Sequence, residues 1–157
     1  MPPKLLVDLD RLDLNRVEDD IEGIRQYNQQ RFEMELLSGI VAFSREEQHV
    51  VAYKDLTDSE FWVRGHVPGR PLMPGVLMCE CAAQACSYYN GRTAETQGFM
   101  GFAGIDGVRF RGQVVPGDRL IMVAKLVKAK SRISTFECQG FVNGKMVFEG
   151  TIRGIAL

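Results

Sequence analysis

Residues 65–84 read GHVPGRPLMPGVLMCECAAQ, and the two halves of this stretch differ in character. The first half, residues 65–75, holds three prolines and three glycines in eleven residues, which excludes a helix and a central strand. The pattern over residues 76–89 is apolar nearly all round and predicts a helix buried in the core. Pro74 suits the first turn of that helix, and Asn90-Gly91 is expected to end it.

The segments around this helix have the patterns of β-strands. A polar turn separates two apolar runs at 36–43 and 49–54, which predicts a hairpin. Turn residues such as Asn143-Gly144 divide the last third of the chain, with strands expected over 99–105, 108–115, 119–129, 133–142 and 145–155. A short helix is expected over residues 17–27, with Asn15 as its cap. One long buried helix and many strands predict an α+β domain with an antiparallel sheet wrapped on the helix.

Length and charge narrow the function classes. The chain has 157 residues, which is one ordinary domain, and 19 basic against 20 acidic residues give a net charge of -1. That balance argues against nucleic acid as a general partner. No apolar run reaches the roughly 18 residues of a membrane span. The N-terminus has no signal-peptide core, so we expect a cytoplasmic protein.

The four cysteines are expected to be small core residues. Cys79, Cys81 and Cys86 crowd into the apolar helix and Cys138 stands apart. None forms a C-x-x-C pair and there are only two histidines, so no structural metal site is expected. The alternative is a reactive thiol near a site.

Two polar residues interrupt the apolar helix. Glu80 and Gln84 are four residues apart and therefore share a face. Loss of solvation favours the protonated form of a carboxylate, which would suit Glu80 to act as a general acid. The alternatives are a structural glutamate satisfied by a partner, or a helix face open to solvent.

His66 lies in the rigid loop before the helix. A proline- and glycine-rich loop of this kind is a sensible mount for a catalytic base, although a lone loop histidine is usually just a surface residue. The loop leads into a helix N-terminus, where free N–H groups near Gly75 and Val76 could stabilise an oxyanion.

The quoted stretch resembles the signature of the β-hydroxyacyl-[acyl-carrier-protein] dehydratases of bacterial type II fatty-acid synthesis. In that family H-F-P-G-x-P-x-M-P-G-V is followed by Glu and A-x-A-Q. Residues 102–111, FAGIDGVRFR, with residues 115–118, VPGD, are similar to its downstream block. The resemblance covers about residues 35–155 and implies one hotdog domain over 1–157, a long central helix wrapped by a curved antiparallel β-sheet, with a divergent segment at about 1–34. It also implies a homodimer as the minimal catalytic unit, often assembled into a hexamer.

The resemblance assigns roles to five positions. His66 matches the catalytic base and Glu80 the catalytic acid, which in the family meet across a dimer interface. The backbone N–H of Gly75 or Val76 matches the group that binds the thioester carbonyl, and Gln84 matches a helix glutamine that positions Glu80. The implied reaction is dehydration of a β-hydroxyacyl chain on acyl carrier protein to a trans-2-enoyl thioester, without a cofactor.

Two stretches depart from the family, and one pair of arginines is a further candidate. The residue after His66 is Val67 where the family has Phe. In the family's N-terminal block only Arg31-Phe32 is retained. Arg109 and Arg111 are two apart on a predicted strand and could dock an acidic carrier protein. An ordinary solvated sheet face is the alternative for that pair.

Three other functions remain open at this point. A hydratase acting on coenzyme A thioesters would use the same groups. A hotdog thioesterase would also use a helix carboxylate, but that class lacks the His-x-Pro-Gly loop. A non-catalytic acyl-binding module is the third alternative, and it would have no chemical need for His66 and Glu80.

Overall fold

A long helix packed on one antiparallel sheet is the frame of the computed structural model, which describes residues 1–94 and 98–157. The six strands lie in the order β1-β2-β4-β5-β6-β3. Register shifts in four of the five strand pairs bend the sheet, as β-bulges do. The helices are α1 (Ile21–Arg25) and α2 (Gly75–Thr93), and the strands are β1 (Gly39–Ser44), β2 (His49–Asp55), β3 (Met100–Phe110), β4 (Arg119–Lys130), β5 (Ile133–Val142) and β6 (Lys145–Ala156).

The core lies between α2 and one face of the sheet. From Cys81 to Tyr89 every residue of α2 is buried, which explains why the helix is apolar nearly all round. It packs mainly on β4, β6 and β2. Alternate residues of the strands face it, including Val50, Leu120 and Phe148. Both ends of α2 are only partly buried, and its start continues the exposed loop that contains His66.

The N-terminal segment covers part of the opposite face of the sheet. Its apolar side chains are Leu6, Val7, Leu9, Leu12 and Leu14, and they pack on Val41, Val51, Tyr53, Ile121, Val123 and Phe141. Gln139 of β5 fixes the segment, since its amide accepts from the N–H of Leu6 at 3.0 Å and donates to the carbonyl of Lys4 at 2.8 Å. No secondary structure was predicted for this segment.

The helix expected over residues 17–27 is shorter, and its cap differs. The N–H groups of Glu18 and Asp19 bond to the carbonyl of Ile40, so these residues bridge to β1 and are unavailable for a first turn. The helix α1 begins at Ile21. Its cap is Asp20, whose carboxylate accepts from the N–H of Gly23, in place of the predicted Asn15.

Two predicted breaks are also wrong. The helix α2 continues through Asn90-Gly91 to Thr93. Gly91 allows Tyr27 to pack closely against α2, because a Cβ at position 91 would lie 2.8 Å from Cβ of Tyr27. The strands expected over 99–105 and 108–115 are partly fused into β3, where Gly107, at φ +58°, lies in a bulge and not a turn. Both halves of β3 pair with β6, which keeps the strand continuous.

Within residues 1–94 and 98–157, no helix is long and apolar enough to cross a membrane. The same part of the chain has no group of three or more His, Cys, Asp or Glu side chains placed to hold a metal ion.

Candidate active site

The loop before α2 holds His66 by both its backbone and its ring. The N–H of His66 donates to the carbonyl of Trp62 at 2.8 Å, and its carbonyl accepts from the N–H of Leu72, also at 2.8 Å. The ring atom Nδ1 lies 2.6 Å from the carbonyl oxygen of Leu72. A carbonyl can only accept, so Nδ1 carries the proton, and the tautomer that this bond selects has its lone pair at Nε2. That is the state a general base requires.

The N-terminus of α2 offers unpaired donors. Pro74 is the cap residue and supplies no side-chain hydrogen bond. Leu77 is the first residue of the helix whose N–H bonds to a backbone carbonyl, that of Pro74. Within the described chain the N–H groups of Gly75 and Val76 have no acceptor. With the helix dipole behind them, they suit a developing negative charge on oxygen.

Gly75 is also a point of close packing. A Cβ on this residue would lie 2.9 Å from two carbon atoms of the Phe110 ring, at the end of β3. The ring of Phe110 in turn packs against Phe148, with ring centroids 6.1 Å apart. The absence of a side chain at Gly75 therefore lets an aromatic ring lie directly against the first turn of α2.

Glu80 is half-buried on α2, one and a half turns into the helix. Its Oε1 accepts from Nε2 of Gln84 at 3.0 Å. The orientation of the Gln84 amide is fixed, because its Oε1 accepts from the N–H of Leu36 at 3.1 Å and its Nε2 also donates to the carbonyl of Met34 at 2.7 Å. One oxygen of Glu80 is thus held by Gln84, and its Oε2 has no hydrogen-bond partner among the described residues.

The residues that hold Gln84 were missed at the sequence level. Leu36 and Met34 contribute only backbone groups, and Asn28, which is 4% exposed, donates to the backbone carbonyl of Gln84 at 3.0 Å. Backbone partners leave no trace in residue type. Asn28 lies in a polar Asn-Gln-Gln run whose composition predicts a loop. A sequence signal exists only for Gln84 itself, as a polar residue in an apolar helix.

His66 and Glu80 do not meet within one chain. No His66 nitrogen lies within 4.0 Å of a carboxylate oxygen in the described residues. His66 is exposed, whereas Glu80 is half-buried on α2. Gly75 and Val76 follow the His66 loop directly in the chain, and Gln84 adjoins Glu80, so the five candidate residues form two groups.

Arg109 and Arg111 both lie beside Glu149 of β6. Arg109 is the cross-strand partner of Glu149, and Arg111 donates to Oε2 of Glu149 at 2.8 Å. Both arginines are exposed, and Arg111 lies one residue beyond the end of β3. The ion pair with Glu149 raises the pKa of Arg111 further above its ordinary value and offsets part of its charge.

The cysteines are reduced and mostly in the core. Cys81, Cys86 and Cys138 are buried and Cys79 is half-buried. The Sγ atoms of Cys86 and Cys138 lie 3.7 Å apart. Burial raises the pKa of Cys81 to about 12 and also raises that of Cys86, which keeps both thiols protonated at neutral pH.

A family model and two curated relatives each match most of this chain. Residues 28–151 match the model of the FabA-like domain. The chain is 41% identical over 137 residues to the 3-hydroxyacyl-[acyl-carrier-protein] dehydratase FabZ of Teredinibacter turnerae, covering 85% of the chain and 93% of that relative. It is 40% identical over 134 residues to the protein of the same name from Streptococcus sanguinis, covering 85% and 94%.

Solved structures agree on the fold. The dehydratase heterocomplex ApeI:P of Xenorhabdus doucetiae superposes with a TM-score of 0.73 at 18% identity, covering 85% of this chain and 90% of that one. A Thermus thermophilus thioesterase superfamily member superposes with a TM-score of 0.62 at 18% identity, covering 71% and 82%. The predicted hotdog architecture, a long helix wrapped by a curved antiparallel sheet, is confirmed.

Proposed function

The chain belongs to the FabA-like family, and from this premise we propose that it dehydrates 3-hydroxyacyl thioesters on acyl carrier protein in fatty-acid biosynthesis. It is a hydro-lyase that needs no cofactor. The family match and the two relatives at about 40% identity support the reaction class. The assignment of His66 and Glu80 as base and acid is supported by the geometry of the two groups.

The observation that carries this assignment is the bond between Nδ1 of His66 and Leu72. It holds the ring in the tautomer whose Nε2 can take a proton. In the forward reaction Nε2 removes the α-proton of the thioester. Negative charge then develops on the thioester oxygen, and the N–H groups of Gly75 and Val76 are the donors that stabilise it.

Glu80 completes the elimination. The carboxyl of Glu80 gives the proton on Oε2 to the departing β-hydroxyl, the Cβ–O bond breaks, and the electron pair left at Cα forms the trans-2 double bond as water leaves. Nε2 of His66 is then protonated and Glu80 is ionised, and one proton lost from His66 and one gained by Glu80 restore the starting state. The hydrogen bond from Gln84 to Oε1 holds the carboxyl in a fixed orientation for this transfer. Hydration of the enoyl thioester uses the same groups in reverse order.

A homodimer supplies the missing contact between the two groups. β3 is an edge strand of the sheet, and Phe102, Ile105 and Phe110 along it are exposed apolar residues. An apolar unpaired edge is a surface that another strand covers. We infer that a second copy pairs here and brings His66 of each chain to Glu80 of the other. A trimer of such dimers is the predicted larger assembly.

We propose that Arg109 and Arg111 form the docking site for the acidic carrier protein. We also propose that the protein acts in the cytoplasm. The two arginines are exposed, and they lie at the end of β3 on either side in the chain of Phe110, whose ring lies close to Gly75. Charge attraction at such a surface acts mainly on the rate of encounter. Arg109 has no carboxylate partner among the described residues, so it is the stronger candidate of the two.

The test is turnover of a trans-2-enoyl thioester, measured by loss of its conjugated absorbance, on carrier protein and on coenzyme A. We expect activity that prefers carrier protein and falls by roughly 10²–10⁴ in His66→Ala and in Glu80→Gln. Glu137→Gln, which removes an exposed charge on β5, is the matched control and keeps full activity. Preference for coenzyme A would indicate the hydratase, and a folded dimer inactive on both would indicate a binding module.

A further inference from the structure

A buried ion pair lies outside the residues assigned so far. Lys54 of β2 is 6% exposed, and its Nζ lies 2.7 Å from Oε1 of Glu60. Glu60 belongs to the segment between β2 and the His66 loop, and its side chain is 15% exposed. Two charges at this depth are costly to desolvate, and apolar residues of similar volume would often be as stable.

Glu60 uses its second oxygen to close a turn. Its Oε2 accepts from the backbone N–H of Thr57 at 3.1 Å and from the Thr57 hydroxyl at 3.0 Å. Burial opposes ionisation of Glu60, but the bonds from Lys54 and Thr57 outweigh it and lower the pKa of this carboxyl. Both oxygens are therefore occupied, and the carboxylate ties the start of the segment to β2.

Backbone hydrogen bonds connect Glu60 to the loop that contains His66. The N–H of Val63 donates to the carbonyl of Glu60 at 3.1 Å, and the N–H of His66 donates to the carbonyl of Trp62 at 2.8 Å. The Trp62 side chain is 4% exposed in the core. On the other side of His66 the chain is held at Leu72, so His66 lies between two anchored points.

We propose that Lys54 and Glu60 are positioning residues for His66: their buried ion pair fixes the segment whose last turn sets the place of the imidazole. The inference rests on the proposed function, in which His66 is the base. An ion pair of this kind adds little net stability compared with apolar residues of similar volume, but it accepts only one geometry. A displacement of about 1 Å at a catalytic group can cost about 10² in rate.

The experiment replaces both charges at once. In Lys54→Met/Glu60→Met the apolar pair fills similar space, so the thermal midpoint is expected to stay within a few degrees of wild type. We expect kcat to fall at least tenfold with KM unchanged within twofold. The chain has two histidines, so ¹⁵N-histidine NMR can follow His66 directly. Its signals should shift from the Nδ1–H form toward a tautomer mixture, while those of His49 on β2 stay unchanged.

Two further variants make the test decisive. Asp55→Asn removes the neighbouring ion pair with Arg119, which is exposed, and is expected to leave kcat and the His66 signals unchanged. If the double variant does not fold, Glu60→Gln takes its place under the same criteria. Wild-type kcat in a folded variant overturns the inference, as does a lower kcat with unchanged His66 signals. If wild type turns over no thioester, the proposed function has failed. The NMR signals of His66 then test on their own whether Lys54 and Glu60 position its ring.

Discussion

Leu72 holds His66 twice, since its carbonyl oxygen lies 2.6 Å from Nδ1 of the ring and its N–H donates to the His66 carbonyl. Ring and peptide of the histidine are thus tied to the same residue. The next residue, Met73, donates its N–H to the carbonyl of Val114, which anchors this pair to the chain that leads into β4. The prolines of the loop supply rigidity, but the direction of the imidazole comes from these three bonds.

The first prediction concerns Gly75. In Gly75→Ala the new Cβ meets the Phe110 ring at 2.9 Å, so the ring must move away from the first turn of α2. Alanine is the better helix former by roughly 0.5–1 kcal/mol, which offsets part of the crowding. We expect unfolding free energy within about 1 kcal/mol of wild type but kcat lower by about tenfold, because the N–H donors are disturbed. Steady-state kinetics and urea unfolding measure the two quantities.

Gly65→Ala is the control for that variant. A Cβ at Gly65 would meet no atom of the described residues within 4 Å. The variant is expected to keep wild-type kinetics and stability although it adds the same methyl group only ten residues before Gly75. Equal kcat values for Gly65→Ala and Gly75→Ala would contradict the role given to the Phe110 contact.

The second prediction concerns Gln84. Gln84→Leu leaves the N–H of Leu36 and the carbonyl of Met34 without their partner and frees Glu80. A buried group that loses its hydrogen bond costs about 1–3 kcal/mol, so unfolding free energy should fall by at least about 2 kcal/mol. Turnover should fall as well, since Glu80 loses its orienting donor.

Gln139→Leu provides the comparison for Gln84→Leu. Gln139 is also a buried amide with two backbone partners, but it holds the N-terminal segment against β5. We expect a comparable loss of stability in urea unfolding with kcat unchanged. If both variants lost activity equally, the effect would be general destabilisation and Gln84 would have no special part.

The sequence predicts the parts of this fold that depend on neighbours along the chain. The density of Pro and Gly at residues 65–75 predicts a loop, and the apolar run after it predicts α2, because both signals are local. The hairpin β1–β2 follows from two apolar runs around a polar turn. His66, Glu80 and Gln84 were singled out by local contrast with their surroundings, and their catalytic roles stay predictions.

The parts that were missed depend on contacts between distant residues. Leu9 and Leu12 have no periodic pattern of their own, and their burial depends on the outer face of a sheet formed more than twenty residues later. Residues 17–19 read as a helix start, yet the backbone groups of Glu18 and Asp19 bond to Ile40 of β1. Lys54 and Glu60 look like solvated charges in the sequence, and only the fold shows that they face each other.

The third prediction concerns thiol reactivity. Burial raises the pKa of Cys81 to about 12, and burial also raises that of Cys86, so little thiolate forms at pH 8. Cys79 is half-buried and is expected to be alkylated first by iodoacetamide in the folded protein. Peptide mass spectrometry at timed intervals measures the order. All four cysteines should react together in denaturant, and fast labelling of Cys81 in the native protein would contradict the assignment to the core.

The last prediction is a pH dependence of stability due to His49. This ring is 5% exposed, and burial lowers its pKa below the ordinary value of about 6.5. Glu47, 3.8 Å from Nδ1, opposes the shift, and Lys125 adds to it. Between the lowered pKa and 6.5 the unfolded chain binds a proton that the folded chain does not. The contribution of His49 to the free energy of unfolding should therefore be fully present above about pH 6.5. Below that pH it should decrease, by at most about 1.4 kcal/mol per pH unit.

Urea unfolding at pH 7.5 and pH 5.5 measures this loss for wild type, His49→Gln and His66→Gln. The pH window stays above the range in which Glu35 and Glu60 lose their stabilising charges, since the pKa of each is lowered from about 4.5. The slope should shrink in His49→Gln and persist in His66→Gln, whose ring is exposed. The same slope in all three proteins would mean that the pH dependence comes from another group and that His49 is protonated without cost in the folded protein.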